Sequence, residues 1–173
     1  MDVPNLRKDQ NLRKELKAIE TRDALLARLS QLDPSILSPM ELGVAARRLQ
    51  HVDGPPDLKI AYLGNQTFEP LPDYLEVYSA CHGIACASYM GPYDQHFQEV
   101  LAEHSGLHAF APDVIVLALS LRDLAPTLAY EFTALAEADR EAECDRIVGL
   151  IKDWIAAAKA SSGASLLIAN LIA

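Results

Sequence analysis

The stretch that decides the fold is Leu58-Lys59-Ile60-Ala61-Tyr62-Leu63-Gly64-Asn65-Gln66-Thr67, an apolar run that ends in a glycine and three polar residues. An apolar run of this length is typical of a strand in a parallel sheet, because helices cover both faces of such a sheet. Gly64 lets the chain leave the strand in a tight turn. We therefore expect the side chains of Asn65 and Thr67 at the carboxyl end of a strand, where open α/β sheets bind their ligands.

Strands and helices alternate along the rest of this half of the chain. Three further strands are predicted, at residues 84–90, 114–119 and 166–169. Helices are predicted between them, at residues 70–83, 94–103 and 137–160. Alternation of this kind predicts right-handed crossovers and a parallel sheet. The predicted fold class is therefore α/β, a three-layer αβα doubly wound parallel sheet of four or five strands.

The part of the chain ahead of the sheet is predicted to be helical. We expect a helical hairpin at residues 1–52 and an α/β domain at residues 53–173, with Asp53-Gly54-Pro55-Pro56 as the linker. Apolar residues spaced by three, four and six positions over residues 6–32 predict one helix with a single apolar stripe. This stripe supports two alternatives, since the hairpin could pack on the domain or serve as an interaction arm that forms a homodimer.

A second helix of the hairpin has a clear start in the sequence. Ser38 is placed to cap the helix, Pro39 occupies its first position, and Glu41 completes a capping box. The helix is predicted to run to about Gln50.

The net charge and the hydropathy of the chain limit the classes of function that it can have. The net charge is −9, and residues 51–173 carry six Lys and Arg against seventeen Asp and Glu. A domain this acidic argues against nucleic acid as a partner, because phosphates need basic side chains. No apolar run approaches the ~20 residues of a membrane helix, and the N-terminus lacks an apolar signal segment. We therefore expect a cytoplasmic protein.

The chain ends abruptly after the fourth predicted strand. This raises the alternative that it is a truncated piece of a longer polypeptide.

Cysteines, histidines and glycines give no metal or cofactor signature. The cysteines Cys81, Cys86 and Cys144 are expected to be reduced, and Cys81 and Cys86 are expected to be small core residues. His104 and His108 are four positions apart, but zinc requires three or four ligands. The Gly-rich phosphate loops and the P-loop lysine are absent from the sequence. We predict neither a metal site nor a cofactor.

Several strings of the sequence resemble the N-terminal region of FkbH-like proteins, in which an SGNH-hydrolase-like domain is joined to a HAD-type phosphatase domain. The resemblance covers roughly residues 36–173. The strings that carry it are Glu41-Leu42 to Arg47-Arg48-Leu49, residues 60–67, Tyr89-Met90-Gly91-Pro92-Tyr93-Asp94-Gln95, residues 105–115, Trp154 and Leu166-Leu167-Ile168-Ala169-Asn170. The resemblance implies a sheet of the SGNH or flavodoxin-like type.

The family's activity gives the expected biological context. FkbH-like proteins load a glyceryl group from a glycolytic phosphoglycerate onto an acyl carrier protein and remove its phosphate, in polyketide extender-unit biosynthesis. The resemblance therefore implies an acyl carrier protein and a HAD-type phosphatase domain, in the same or a separate chain, as partners. The Asp-x-Asp-x-Thr string of the phosphatase is absent from this sequence, so this chain is not expected to hydrolyse phosphate by that route.

The resemblance also identifies the residues of the expected site. SGNH proteins place Gly-Asp-Ser after the first strand, where this chain has Gly64-Asn65-Gln66-Thr67. The serine nucleophile is missing, and the nearest hydroxyl, that of Thr67, attacks less readily unless a base activates it. The histidine base of the family's last block would lie beyond Ala173.

Two further loops are expected at the same edge. Gly91 corresponds to the glycine of the family's second block. The turn after it would either point Tyr93 toward the same crevice or let its ring cap the core, with its hydroxyl bonded to the backbone. Ser120 stands where the family has an asparagine that stabilises the oxyanion. The predicted substrate-binding residues are thus Gly64, Asn65, Gly91, Tyr93 and Ser120.

Three hypotheses follow for function. The first is an SGNH-like module that binds a carrier arm, an acyl group or a neighbouring domain without hydrolysis. The second is a stand-alone acyl hydrolase or transferase in which Thr67 is the nucleophile. The third is a dimerisation or docking domain that acts through the N-terminal helices.

Overall fold

The computed structural model describes the backbone of residues 3–169 and the side chains of residues 11–169. The strands are β1 (Leu58–Gly64), β2 (Cys86–Met90), β3 (Val114–Ala118) and β4 (Ser165–Ile168). The helices are α1 (Val3–Ala18), α2 (Arg22–Leu29), α3 (Pro39–His51), α4 (Leu71–Cys81), α5 (His96–Leu101), α6 (Gly106–Phe110), α7 (Leu121–Leu124), α8 (Pro126–Tyr130) and α9 (Glu137–Ser161). Leu6 of the predicted stripe and Asn170 of the family resemblance lie outside the described side chains.

The strands form one four-stranded parallel sheet in the order β2-β1-β3-β4. In the register of β1 and β3, Ile60 lies opposite Val114 and Gly64 opposite Ala118. Strand β4 continues the sheet, with Ser165 opposite Val114. Helices flank the sheet, so the predicted α/β class and its three-layer αβα arrangement are confirmed. Since the strands are parallel, the loops that follow Gly64 and Ala118 leave the same edge of the sheet.

The chain divides into two compact units. The first unit consists of residues 1–58 and 68–88, and the second of residues 59–67 and 89–173. The first unit therefore contains the N-terminal helices together with α4. The domain boundary expected at residues 52 and 53 stays a prediction.

The first unit has its own apolar core. Leu16, Leu25 and Leu29 of α1 and α2 are fully buried, in one cluster with residues of α3 and α4. Much of the predicted apolar stripe is thus covered within the unit, because α3 and α4 supply the facing side chains. A homodimer formed through these helices stays a prediction, and it would have to use the residues that remain exposed, such as Ile36 and Met40.

The single helix predicted over residues 6–32 is wrong. Helix α1 ends at Ala18, and α2 begins at Arg22 after Thr21. The Thr21 side chain accepts a hydrogen bond from the backbone N–H of Ala24 at 3.4 Å, which gives α2 its own N-cap. The start of α3 is confirmed, since Ser38 and Glu41 form both hydrogen bonds of the capping box.

The second unit is built around the central strands and α9. Leu63, Ile115 and Leu117 are fully buried and share a cluster with Trp154. The indole Nε1 of Trp154 donates a hydrogen bond to the backbone oxygen of His96 at 3.0 Å. This bond satisfies the polar end of a buried indole and fixes the start of α5 to the body of the unit.

Some predictions of detail need correction. Cys81 and Cys86 are buried as predicted, and Cys144, on α9, is exposed. Helices α6, α7 and α8 were not expected, since each is only four or five residues long. Within the described part of the chain, none of the helices combines the length and the apolar character that a bilayer span requires.

Candidate functional site

Gly64 ends β1 at a point where no side chain can be accommodated. Its φ is +153°, and a Cβ built there would lie 1.9 Å from the backbone oxygen of Ala118. The backbone N–H of Asn65 is directed at that same oxygen, at 3.4 Å. A glycine is therefore required at this turn, because it lets the ends of the two central strands approach each other closely.

Asn65 links the loops that follow these two strands. Its side chain is 4% exposed, and its Oδ1 accepts a hydrogen bond of 2.7 Å from the backbone N–H of Ser120. We call this contact the Asn65–Ser120 bridge. Two predicted site residues are thus brought together, and the bridge gives the buried Asn65 oxygen a hydrogen-bond partner.

The loop after β2 closes against the same corner. The backbone N–H of Gly91 donates to the oxygen of Tyr62 at 2.9 Å, and that of Asp94 donates to the oxygen of Gly64 at 2.9 Å. A Cβ on Gly91 would lie 2.3 Å from Cδ2 of Leu63. Three of the predicted residues, Gly64, Asn65 and Gly91, therefore act first as backbone contacts that hold the loops at the carboxyl edge.

Thr67 and Tyr93 lie at the surface of the second unit. Thr67 is exposed, and the Tyr93 side chain is 64% exposed. No histidine or carboxylate of residues 11–169 is hydrogen-bonded to the Thr67 hydroxyl. An alcohol without such a base is a weak nucleophile. These two side chains are available to contact a ligand, but the geometry around Thr67 gives no activation of its oxygen.

A solved structure shares this fold. It is the crystal structure of the N-terminal part of the protein BF1531 from Bacteroides fragilis, containing a phosphatase domain complexed with Mg. The TM-score is 0.53 at 15% sequence identity, and the match covers 90% of this chain and 34% of that one. This chain thus spans about a third of that structure, and at such low identity the similarity shows the fold alone. No protein-family model and no curated protein matches the sequence.

A buried histidine near this corner was missed by the sequence analysis. His96 is the first residue of α5 and is 4% exposed. Neither ring nitrogen has a hydrogen-bond partner among the residues that the structure describes. Burial lowers the pKa of His96, and the nearby charge of Asp94 opposes that shift. The imidazole is therefore favoured in its neutral form, in which one nitrogen donates and the other accepts.

Gln66 was also passed over, although it lies within the stretch that decides the fold. Its Nε2 is buried and has no hydrogen-bond partner within the described part of the chain. Gln66 is two residues beyond Gly64, and His96 is two residues beyond Asp94, so both follow the backbone contact between Gly64 and Asp94. The sequence could have pointed to Gln66 and His96, because each directly follows a turn at an edge of the sheet.

The loop that leads to His96 contains a residue in a strained backbone conformation. Asp94 has a φ of +57°, which is uncommon for a residue with a side chain. Aspartate tolerates this left-handed conformation better than most residues do. The contact from its N–H to Gly64 holds the turn in place, and such turns are found at ligand sites.

The remaining candidates lie away from this edge. Asp113 directly precedes β3 at the opposite edge, where its Oδ2 accepts a hydrogen bond of 2.8 Å from the backbone N–H of Lys59. His108 lies in α6, and its Nδ1 is 2.9 Å from Oγ of Ser105, which caps that helix. In residues 11–169, no group of three or more His, Cys, Asp and Glu side chains is placed to hold a metal ion.

Proposed function

We propose that this chain is an SGNH-like module that holds an acyl group on an acyl carrier protein without hydrolysing it. The module would act beside a HAD-type phosphatase domain, in the same or a separate chain. The observation that carries this proposal is the Asn65–Ser120 bridge. It occupies the groups that a hydrolase of this type would need for catalysis.

The bridge argues against hydrolysis for an electrostatic reason. Hydrolysis of an ester or thioester requires free N–H donors aimed at the oxyanion of the tetrahedral intermediate. The N–H of Ser120, which stands at the expected place, already donates to Asn65 at 2.7 Å. An oxyanion would have to break this part-buried hydrogen bond to gain that donor. The corner is thus suited to keep its shape and not to stabilise developing charge.

The same corner has features that suit binding. The Tyr93 ring is largely exposed and offers an aromatic surface with a polar tip. Gln66 contributes an amide N–H without a partner among the described residues, which can donate to a carbonyl or hydroxyl oxygen. A glyceryl thioester presents both kinds of oxygen. These groups support a short, polar acyl chain as the ligand.

The phosphatase context supports the proposed role. The FkbH-like resemblance implies a HAD-type domain that removes phosphate, and the similar structure from Bacteroides fragilis contains a phosphatase domain. A chain that covers a third of that structure is compatible with one module of a larger enzyme. The proposed division of labour assigns phosphate removal to the phosphatase domain and acyl binding to this module.

Isothermal titration calorimetry tests the proposal. We expect saturable heat when the 173-residue chain is titrated with glyceryl-loaded carrier protein, and weaker binding after Tyr93→Ala. Tyr130→Ala is the matched control, because Tyr130 is similarly exposed, at 69%, but lies on α8. Absence of heat with both the holo and the glyceryl-loaded carrier would remove the carrier-binding role.

The second candidate is a hydrolase or transferase that uses Thr67. Its exposed hydroxyl on the loop after β1 is the observation in its favour. Incubation with p-nitrophenyl acetate compares the wild type with Thr67→Ala. We expect both to show the background rate, whereas a wild-type rate that falls at least about tenfold in the variant would establish this candidate instead.

A further inference from the structure

The exposed side of α4, in the first unit, carries an uncharged and largely apolar stripe. Three of its members are large apolar side chains that are between 36% and 51% exposed, and the fourth is the exposed histidine that directly follows the helix. The two charged residues of α4 lie elsewhere, since Glu76 is buried and Asp73 is half-buried. We call these four residues the α4 stripe: Leu71, Leu75, Tyr78 and His82.

The opposite side of α4 is packed in the core of the unit. Val77 and Ala80 are fully buried and lie with the buried Cys81 in the apolar cluster of the first unit. Helix α4 therefore has apolar residues on both sides, whereas a surface helix typically has one apolar and one polar side. Contiguous apolar surface of this kind marks an interaction site.

The spacing within the α4 stripe suits a second helix that packs along it. Its members follow one another at intervals of four, three and four residues, which is the apolar spacing of a coiled-coil seam. These intervals are the same when they are read in either direction. A copy of α4 that runs antiparallel therefore presents the same spacing, and the twofold axis passes between Leu75 and Tyr78.

We propose that the α4 stripe binds the α4 stripe of a second copy of this chain, with the two helices antiparallel. In this arrangement Leu75 of one copy faces Tyr78 of the other, and Leu71 of one copy faces His82 of the other. Each pair occurs twice, as a twofold interface between identical surfaces requires. The central pairs place an aliphatic side chain on an aromatic ring and remove apolar surface from water.

The distribution of charge favours a second copy on this side of the molecule. The residues of the first unit carry nine Lys and Arg against twelve Asp and Glu, and those of the second unit carry six against twelve. The first unit thus contributes −3 and the second −6 to the net charge of −9. Like-charged copies repel each other least where their less charged units meet.

Other occupants match the α4 stripe less well. A charged amphipathic helix of a separate protein would find no carboxylate, lysine or arginine on the stripe with which to pair. A helix that lies on a membrane is typically rich in Lys and Arg on its polar side, and α4 contains neither.

The size of the α4 stripe predicts a weak and reversible dimer. From residue 71 to residue 82 a helix rises about 17 Å. The exposed Ile84 adds apolar surface at the end of the helix, where its backbone N–H donates to the oxygen of Ser79 at 2.9 Å. One helix pair of this length buries less than the ~1,200–2,000 Å² of a stable interface. The dimer is independent of the proposed acyl site, because the stripe and the loops of that site belong to different units.

Sedimentation velocity with the full 173-residue chain tests the proposed dimer. We expect the mean mass to rise from that of one chain toward that of two between about 5 µM and about 500 µM, the range in which weak complexes dissociate. The single substitutions Leu75→Glu and Tyr78→Lys should each raise the dissociation constant at least about tenfold, because each places a charge against an apolar side chain of the other copy. Circular dichroism checks that each variant is folded.

A mixture of these two variants tests the antiparallel geometry. The glutamate of one copy then faces the lysine of the other, and the second central pair keeps Leu75 and Tyr78. We expect the mixture to recover the mass increase that neither variant shows alone, because the opposite charges attract each other. Parallel helices would place position 75 opposite itself. Recovery only in a mixture of Leu75→Glu with Leu75→Lys would therefore overturn the proposal.

The matched control is Val148→Glu, which introduces the same charge at an exposed apolar position of α9. It should leave the dissociation constant unchanged. The proposal is overturned if the wild type keeps the mass of one chain at every concentration, or if Val148→Glu weakens association as much as Leu75→Glu does. It is also overturned if the stripe substitutions weaken only the binding of a labelled leucine-faced synthetic helix or of phosphatidylcholine vesicles, since these results would assign the stripe to another protein or to a membrane.

Discussion

The side-chain oxygen of Asn65 accepts a hydrogen bond of 2.7 Å from the backbone N–H of Ser120, 55 residues further along the chain. This bond ties the loop after β1 to the loop after β3. In the family that the sequence resembles, the corresponding segment carries the nucleophile. In this chain Asn65 of that segment makes a structural contact instead.

Removal of the Asn65 amide should destabilise the protein. Asn65→Ala leaves the part-buried N–H of Ser120 without its acceptor, and loss of the partner of a fully buried donor costs about 1–3 kcal/mol. We expect a decrease of that size in the free energy of unfolding, measured by urea denaturation. Gln98→Ala is the control, because Gln98 is an exposed amide on α5 and should change stability by less than about 0.5 kcal/mol. Equal effects of the two substitutions would contradict a structural role for the bridge.

Gly64 should not tolerate any side chain. Gly64→Ala would place a Cβ 1.9 Å from the Ala118 oxygen in a backbone conformation that disfavours alanine. We expect a loss of more than about 3 kcal/mol, or failure to fold, because neither backbone can shift without separating β1 from β3. Gly149→Ala is the matched control, since a Cβ there meets nothing within 4 Å in α9. That substitution should stabilise the helix by up to about 1 kcal/mol, and the two melting temperatures should move in opposite directions.

Glu76 should lower stability at neutral pH. It is 4% exposed on α4 in the first unit, and burial raises its pKa, although hydrogen bonds from Ser88 and Gln50 oppose the shift. The folded state therefore holds this proton to a higher pH than the unfolded state does. The free energy of unfolding contributed by this group falls as pH rises above about 4.5 toward the raised pKa.

The substitution Glu76→Gln tests this assignment, because it keeps the shape of the side chain and removes the charge. We expect the variant to be more stable than the wild type at pH 7 and nearly equal to it at pH 4, by urea unfolding at each pH. Glu103→Gln changes an exposed carboxylate and should show no such difference. A Glu76→Gln variant that is less stable than the wild type at pH 7 but not at pH 4 would mean that the charged form is stabilising, and would contradict the assignment.

His96 should give the opposite pH dependence. Burial lowers its pKa in the folded state, so the unfolded state binds a proton at a higher pH than the folded state does. Stability contributed by this group is complete above about pH 6.5 and decreases as pH falls below it. His96→Gln should flatten the slope of unfolding free energy between pH 5 and pH 7. His104→Gln, at an exposed position, should leave that slope unchanged, and an equal effect of both would refute the assignment to His96.

Features encoded within a few residues were predictable from the sequence. The apolar run of β1 and the capping box of Ser38 and Glu41 were predicted, because their atoms come from neighbouring positions. The break before Thr21 was missed, since the apolar periodicity continues across it and only the cap interrupts the helix.

Prediction of the site residues and their contacts depended more strongly on tertiary structure than prediction of these local features did. Its position at the carboxyl edge followed from the parallel sheet, and Gly64, Asn65 and Ser120 do meet there. The bridge itself could not be predicted, because it depends on the register that places Gly64 opposite Ala118. The burial of His96 likewise depends on packing around Trp154, which lies 58 residues away.

Hydrogen–deuterium exchange of the chain with and without glyceryl-loaded carrier protein tests whether the carboxyl edge of the sheet binds the acyl group and leaves it intact. We predict acyl-dependent protection in peptides that cover residues 64–67, 91–96 and 118–121, with the recovered carrier still carrying its glyceryl group by mass. Protection confined to α1 and α3, or loss of the glyceryl group in a manner that Thr67→Ala abolishes, would contradict this role of the edge.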